Sequence, residues 1–106
     1  MNAKVQKILT ELRQALEGIY GDRLSRFILF GSQARGDAED GSDIDVMVGL
    51  KGGFHWRQES NRLIDKIVQW NLEYEELVSC VYVDEERFQN EKSPLLLNVR
   101  REGIPI

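Results

Sequence analysis

Gly31-Ser32 stands ten residues ahead of Asp43-Ile44-Asp45. These residues together could handle a phosphorylated substrate. A short apolar run, Phe27-Ile28-Leu29-Phe30, ends where the glycine begins. The pattern predicts a strand running into a Gly-Ser turn, with a helical turn opening through Gln33, Ala34 and Arg35. Backbone N–H groups at such a start attract anions, and a glycine lets a phosphate come close to the backbone. Ser32 adds a hydroxyl donor and Arg35 a cation on the same turn. The chain then returns through the polar loop 36–42 to Asp43-Ile44-Asp45-Val46-Met47-Val48. Alternation there puts Asp43 and Asp45 on one face of a strand, with Ile44, Val46 and Val48 on the other. Carboxylates two apart on a strand project side by side and can bridge hard cations such as Mg²⁺. Two such ions about 3.5–4 Å apart clamp the attacking and leaving oxygens of an in-line displacement. Two aspartates inside an apolar strand are costly unless they have such a partner.

The elements that must hold this unit follow from the apolar spacing. Val5, Ile8, Leu9, Leu12, Leu16 and Ile19 form one stripe of a first helix, ended by Gly21 and Asp22. A second helix runs over 56–71 with Leu63, Ile64, Ile67 and Trp70 facing inward. A third strand covers 77–83. Asp84 caps a short helical turn that opens with Glu85 and Glu86. Ser93, Pro94 and Gly103 punctuate the last helix. The order α-β-β-α-β-α implies an α+β fold: a small mixed β-sheet with helices packed on it. At 106 residues the chain suffices for one compact domain, 1–106, with one core.

Composition narrows the function. The net charge is −4 and no basic run exceeds the pair Arg100-Arg101. The stripe of cations that a duplex-binding protein uses is missing, so no direct duplex binding is expected. No apolar stretch could span a bilayer, the N-terminus lacks the apolar segment of a secretory signal, and Cys80 is the only cysteine. A cytoplasmic location is expected. Other conspicuous residues have plain readings: His55 as a helix-start or surface residue, and Cys80 as a small core residue. Trp56 and Trp70, on one helical face, read as core or a protein interface, and Arg100 and Arg101 as cations favouring a helix C-terminus.

Gly31-Ser32-Gln33-Ala34-Arg35-Gly36 followed by Ser42-Asp43-Ile44-Asp45-Val46 resembles the signature of the DNA polymerase β-like nucleotidyltransferase superfamily. The closest similarity is to its minimal branch, often encoded as the antitoxin beside a HEPN-domain toxin. The segment from Ser93-Pro94-Leu95 to Asn98-Val99-Arg100-Arg101-Glu102-Gly103-Ile104 is also similar to that branch. The resemblance implies that Gly31 and Ser32 hold a triphosphate, assisted by Arg35, and that Asp43 and Asp45 bind Mg²⁺. It also implies a third carboxylate on a later strand. No acidic residue lies within 77–83, so the candidates are Glu75 and Glu76, with Glu76 preferred as both metal ligand and catalytic residue. The implied reaction moves AMP from ATP to a tyrosine hydroxyl of a cognate HEPN toxin, with which the chain forms an oligomer. Two alternatives stand beside it: a nucleotide-binding antitoxin module without catalysis, and a small-molecule enzyme resembling aminoglycoside nucleotidyltransferases whose acceptor site lies on another subunit.

Overall fold

A computed structural model describes residues 2–39 and 41–106. Helix α1 (Ala3–Tyr20) begins where the Asn2 side chain accepts a hydrogen bond from the Val5 N–H at 2.8 Å. It buries Val5, Ile8, Leu9, Leu12 and Leu16 as the spacing predicts. Tyr20 joins them while Ile19 is half-buried. A 3₁₀ turn, Gly21–Arg23, leads into strand β1 (Leu24–Phe30). The short helix α2 (Gly31–Arg35) and strand β2 (Ile44–Leu50) follow. Helix α3 (Trp56–Tyr74) then crosses back to strand β3 (Val78–Asp84). Asp84 caps helix α4 (Glu85–Asn90), accepting from the Glu86 and Arg87 N–H groups. Ser93 caps helix α5 (Pro94–Glu102), whose first turn holds Pro94.

The sheet order is β3-β2-β1-β4, where β4 (Ile104–Pro105) is a strand that the apolar pattern does not reveal. Two residues carry no periodicity. They are fixed by pairing with Ile28 and Leu29 of β1. Gly103 makes this pairing possible, because a Cβ there would meet the Val99 carbonyl oxygen and Ile28 Cγ2. β1 and β2 run antiparallel, and β2 and β3 run parallel through the α3 crossover. The α+β class with a mixed sheet is the one expected.

Helices cover both sides of this sheet. Ile44, Val46, Val48, Phe27 and Leu29 pack under α1 and α3, whereas Ile28, Met47 and Val83 pack under α4 and α5. Met47 therefore shares the face of Asp45 yet has no exposure, since α4 and α5 roof that face beyond the aspartates. Among the described residues, no helix is long and apolar enough to cross a membrane.

Two details depart from the pattern reading. Ile64 does not face inward but is half exposed, and Trp56 is more exposed still. The buried meridian of α3 runs through Glu59, Leu63 and Trp70, and Ile64 lies about 100° around from Leu63. Trp56, at the first residue of the helix, projects beyond the layer that buries Trp70. Arg100 and Arg101 stand in the last turn of α5, as expected, and Arg100 also reaches across to the carbonyl oxygens of Phe88 and Glu91, tying the end of α4 to α5.

The roof over the sheet is pinned by one ion pair. Arg26 Nε and Nη2 each donate to the Glu85 carboxylate at 2.9 Å, and the guanidinium lies 4.6 Å from the Phe88 ring centre. The hydrogen bond from Arg26 holds the Glu85 carboxyl down at about 2. A carboxyl depressed on folding stabilises the fold above its unfolded value, near 4.3, and loses that contribution as pH falls toward 2. Glu85→Gln should therefore destabilise the protein by about 1 kcal/mol at pH 7, a modest figure because solvent screens the half-exposed arginine. Melting curves of both proteins should converge between pH 4.5 and about 2; a constant gap across that range would exclude this role.

Candidate active site

β1 and β2 are antiparallel neighbours, so the end of one meets the start of the other, with Phe30 opposite Asp45. The chain leaves β1 through Gly31 at φ 73°, a conformation that glycine adopts without strain. The Asp45 carboxylate lies directly on that glycine: a Cβ at Gly31 would be 2.5 Å from Asp45 Oδ2. Strand pairing thus brings the turn and the acidic residue to one point. Among the described residues no side chain caps α2, so none supplies its first amides with the usual intramolecular acceptor.

Asp45 is half-buried and Asp43 exposed. Burial, followed by the repulsion of Asp43, pushes the Asp45 carboxyl up, and Arg35 only partly opposes this. Among the described residues neither aspartate has an ion-pair partner. Arg35 has two: its guanidinium donates to Asp37 at 3.2 Å and lies 3.6 Å from Glu102 on α5. Ser32 is half-buried in the first turn of α2, where its carbonyl accepts from Gly36 and Asp37.

Gly31 and Asp45 are in contact, and Asp43 and Arg35 are within electrostatic reach. Glu76 is not brought to them. Its carboxylate is 3.8 Å from Lys4 Nζ on α1, on the side of the sheet away from Asp45. Glu75 closes α3 in the left-handed region at φ 57° and is exposed. Both line a cavity of about 490 Å³ with Lys4, Gln33, Gly36 and Glu39, so they flank α2 from the α1 side. Among the described residues no group of three or more His, Cys, Asp or Glu side chains could hold a metal ion.

The β3 residue in register with Asp45 is Ser79. Paired residues of parallel strands point to the same face, so Ser79 is the β3 side chain that stands beside Asp45. A serine inside an apolar strand carries no chemical signal in sequence; only the register identifies it. The remaining polar candidates are quiet. His55 precedes α3 with no side-chain capping bond, and burial pushes the Cys80 thiol up to about 12, which makes it inert.

Comparison with known proteins bears on the family and the fold. The family model for the nucleotidyltransferase domain matches residues 5–102. A Methanocaldococcus jannaschii protein named "Putative protein adenylyltransferase" is 34% identical over 78 residues, which cover 74% of this chain and 78% of that protein. A second protein of the same name and organism is 32% identical over 83 residues, covering 78% and 77% respectively. A crystal structure described as a putative nucleotidyltransferase from Sulfolobus solfataricus superposes with a TM-score of 0.60 over 96% of this chain and 81% of that one. At 21% sequence identity this last similarity bears on the fold alone.

Proposed function

The chain belongs to the nucleotidyltransferase domain family, and we propose that within it the protein transfers AMP from ATP to a hydroxyl of a separate protein. The observation that carries this reading is the Asp45 carboxylate seated on Gly31, which unites an acidic pair with a phosphate turn. Asp43 and Asp45 are hard oxygen donors without an ion-pair partner among the described residues, and the burial and repulsion that raise the Asp45 carboxyl are what a divalent ion would offset. Mg²⁺ held there would neutralise charge on the phosphate and on the attacking oxygen.

The residues of the chain supply the rest. Backbone N–H groups at Gly31 and Ser32, with the Ser32 hydroxyl, orient the triphosphate, and Arg35 can exchange its surface carboxylates for phosphate oxygens. The acceptor oxygen forms a bond to the α-phosphorus as the bond to the bridging oxygen breaks. Pyrophosphate leaves and the hydroxyl proton is released. Glu76, the third carboxylate of this reading, lines the cavity beside α2, and it would take that proton only from an acceptor that enters from the α1 side. Positioning and charge do the work, with no covalent enzyme intermediate.

A protein acceptor is supported by the names of the two relatives, and a tyrosine of a HEPN toxin by the resemblance of the signature and of the 93–104 segment. On this reading the chain is an antitoxin. Incubation of the chain with its candidate partner, ATP and Mg²⁺ tests it by intact-mass spectrometry. Whole AMP units should appear on the partner, depend on the metal, and accompany loss of its activity. Suppression of the partner with no added mass would support the second reading, nucleotide binding without transfer. Ser79 favours that alternative, because it puts a hydroxyl beside Asp45 where a carboxylate would complete an acidic triad. Transfer to a free aminoglycoside by the isolated chain would count against both.

A further inference from the structure

β3 is an edge of the sheet; residues 53–56 and Ser60 line a cavity with Cys80, Val81 and Tyr82 beside it, but no described residue pairs with its outer backbone. The Leu77 carbonyl accepts from Ile44 on β2 at 2.8 Å. Alternation along the strand then turns the backbone groups of Ser79, Val81 and Val83 toward β2 and those of Val78, Cys80 and Tyr82 outward. No described residue hydrogen-bonds to these outward groups. Proteins usually block such an edge with lysine, proline or a bulge, yet residues 78–83 contain no charge and no proline, and their pairing with β2 is regular.

A second unpartnered surface lies directly above this edge. α3 covers β3, with the Tyr82 hydroxyl donating to the Glu59 carbonyl at 3.2 Å. One flank of α3 faces α1: Lys66, Gln69 and Trp70 line a groove with Glu11 and Gln14, and the Trp70 indole donates to Glu11 at 2.7 Å. At 100° per residue the flank away from α1 carries Arg57, Asn61, Ile64, Val68, Asn71 and Leu72. Ile64 and Val68 are half exposed and Leu72 is 77% exposed. The apolar ledge and the open strand are continuous.

We propose that a second copy of this chain covers both, through β3–β3 pairing and α3–α3 packing about one two-fold axis. The surfaces are self-complementary. An axis perpendicular to the sheet at Cys80 sets Cys80 opposite its own copy and Val78 opposite Tyr82. Every outward group then meets an outward group of the antiparallel neighbour. The same axis runs α3 antiparallel to its copy, with Ile64 near the centre, Ser60 facing Val68 and Trp56 facing Leu72. Charge agrees as well. Arg57, at the basic start of the ledge, comes within a helical turn of Glu75 of the second copy at the acidic end. The two four-stranded sheets join into one of eight strands, and the unpaired edge disappears.

Sedimentation of the full chain at about 100 µM should give twice the 12.3 kDa mass, and hydrogen exchange should show slow amides at Val78, Cys80 and Tyr82. Ile64→Lys, at a site exposed in the single chain, should raise the dissociation constant on the order of a hundredfold. It should also speed exchange at those three amides while leaving the circular dichroism spectrum unchanged. If the variant misfolds, Val68→Lys, also at an exposed site, provides the same reading. A monomer at that concentration overturns the proposal. So does a dimer whose outward β3 amides exchange freely, or one insensitive to both lysines.

Discussion

The double variant Asp43→Asn/Asp45→Asn should melt no lower than the wild type and transfer nucleotide at a rate reduced on the order of 10³-fold or more, the loss expected when several kcal/mol of metal-based stabilisation are removed. The stability half of this result follows from the direction of the Asp45 shift. Burial and Asp43 raise that carboxyl, so its charged form is less favourable in the folded chain than in the unfolded one. A group raised in this way costs stability at neutral pH, and the cost disappears as pH falls through its folded pKa. Asparagine is neutral throughout, so the single variant Asp45→Asn should melt above the wild type at pH 7, with a difference that shrinks on acidification. Added Mg²⁺ should raise the melting temperature of the wild type only. Full transfer by a folded double variant would end the metal reading; a lower melting temperature would instead show that Asp45 has a stabilising partner.

Gly31→Val should fail in both binding and stability. Valine at φ 73° is strained by about 1–3 kcal/mol, and its Cβ would have to displace the Asp45 carboxylate from 2.5 Å. Thermal unfolding should register that cost. Titration calorimetry of the folded fraction with ATP and Mg²⁺ should show affinity reduced by more than tenfold, because the same Cβ that moves Asp45 closes the approach of phosphate to the backbone. Gly31→Ala, with a smaller side chain, should show the same two losses in milder form. Unchanged ATP affinity in folded Gly31→Val would remove the phosphate turn from the site.

Much of this arrangement is legible in the residues. The stripe from Val5 to Leu16, the caps at Asp84 and Ser93, and the Gly-Ser and Asp-x-Asp pairs are local features, and sequence records local features directly. What stays hidden depends on partners far along the chain. Strand β4 exists because Gly103 lets two residues reach β1. Met47 is buried because α4 and α5 return over the sheet. Ile64 is exposed because α3 sits over an edge strand with no helix beyond it. Ser79 stands beside Asp45 through the register of a parallel pair, whereas Glu76, which precedes that strand, pairs with Lys4 of α1. In each case an alternative placement satisfies the periodicity equally well, and only the long-range packing chooses between them.

The ion pair from Arg35 to Glu102 links the phosphate turn to the last helix, and its strength limits how far news of an occupied site can travel. If a bound phosphate draws Arg35 away, α5 loses one contact, and with it some hold on the residues that continue into β4. An exposed pair of this kind contributes little, because solvent and salt screen it. Linkage makes that small contribution the ceiling on what the far end of the chain can feel of the nucleotide, and on what the nucleotide can feel of it. Such a tether transmits a bias, but it cannot throw a switch.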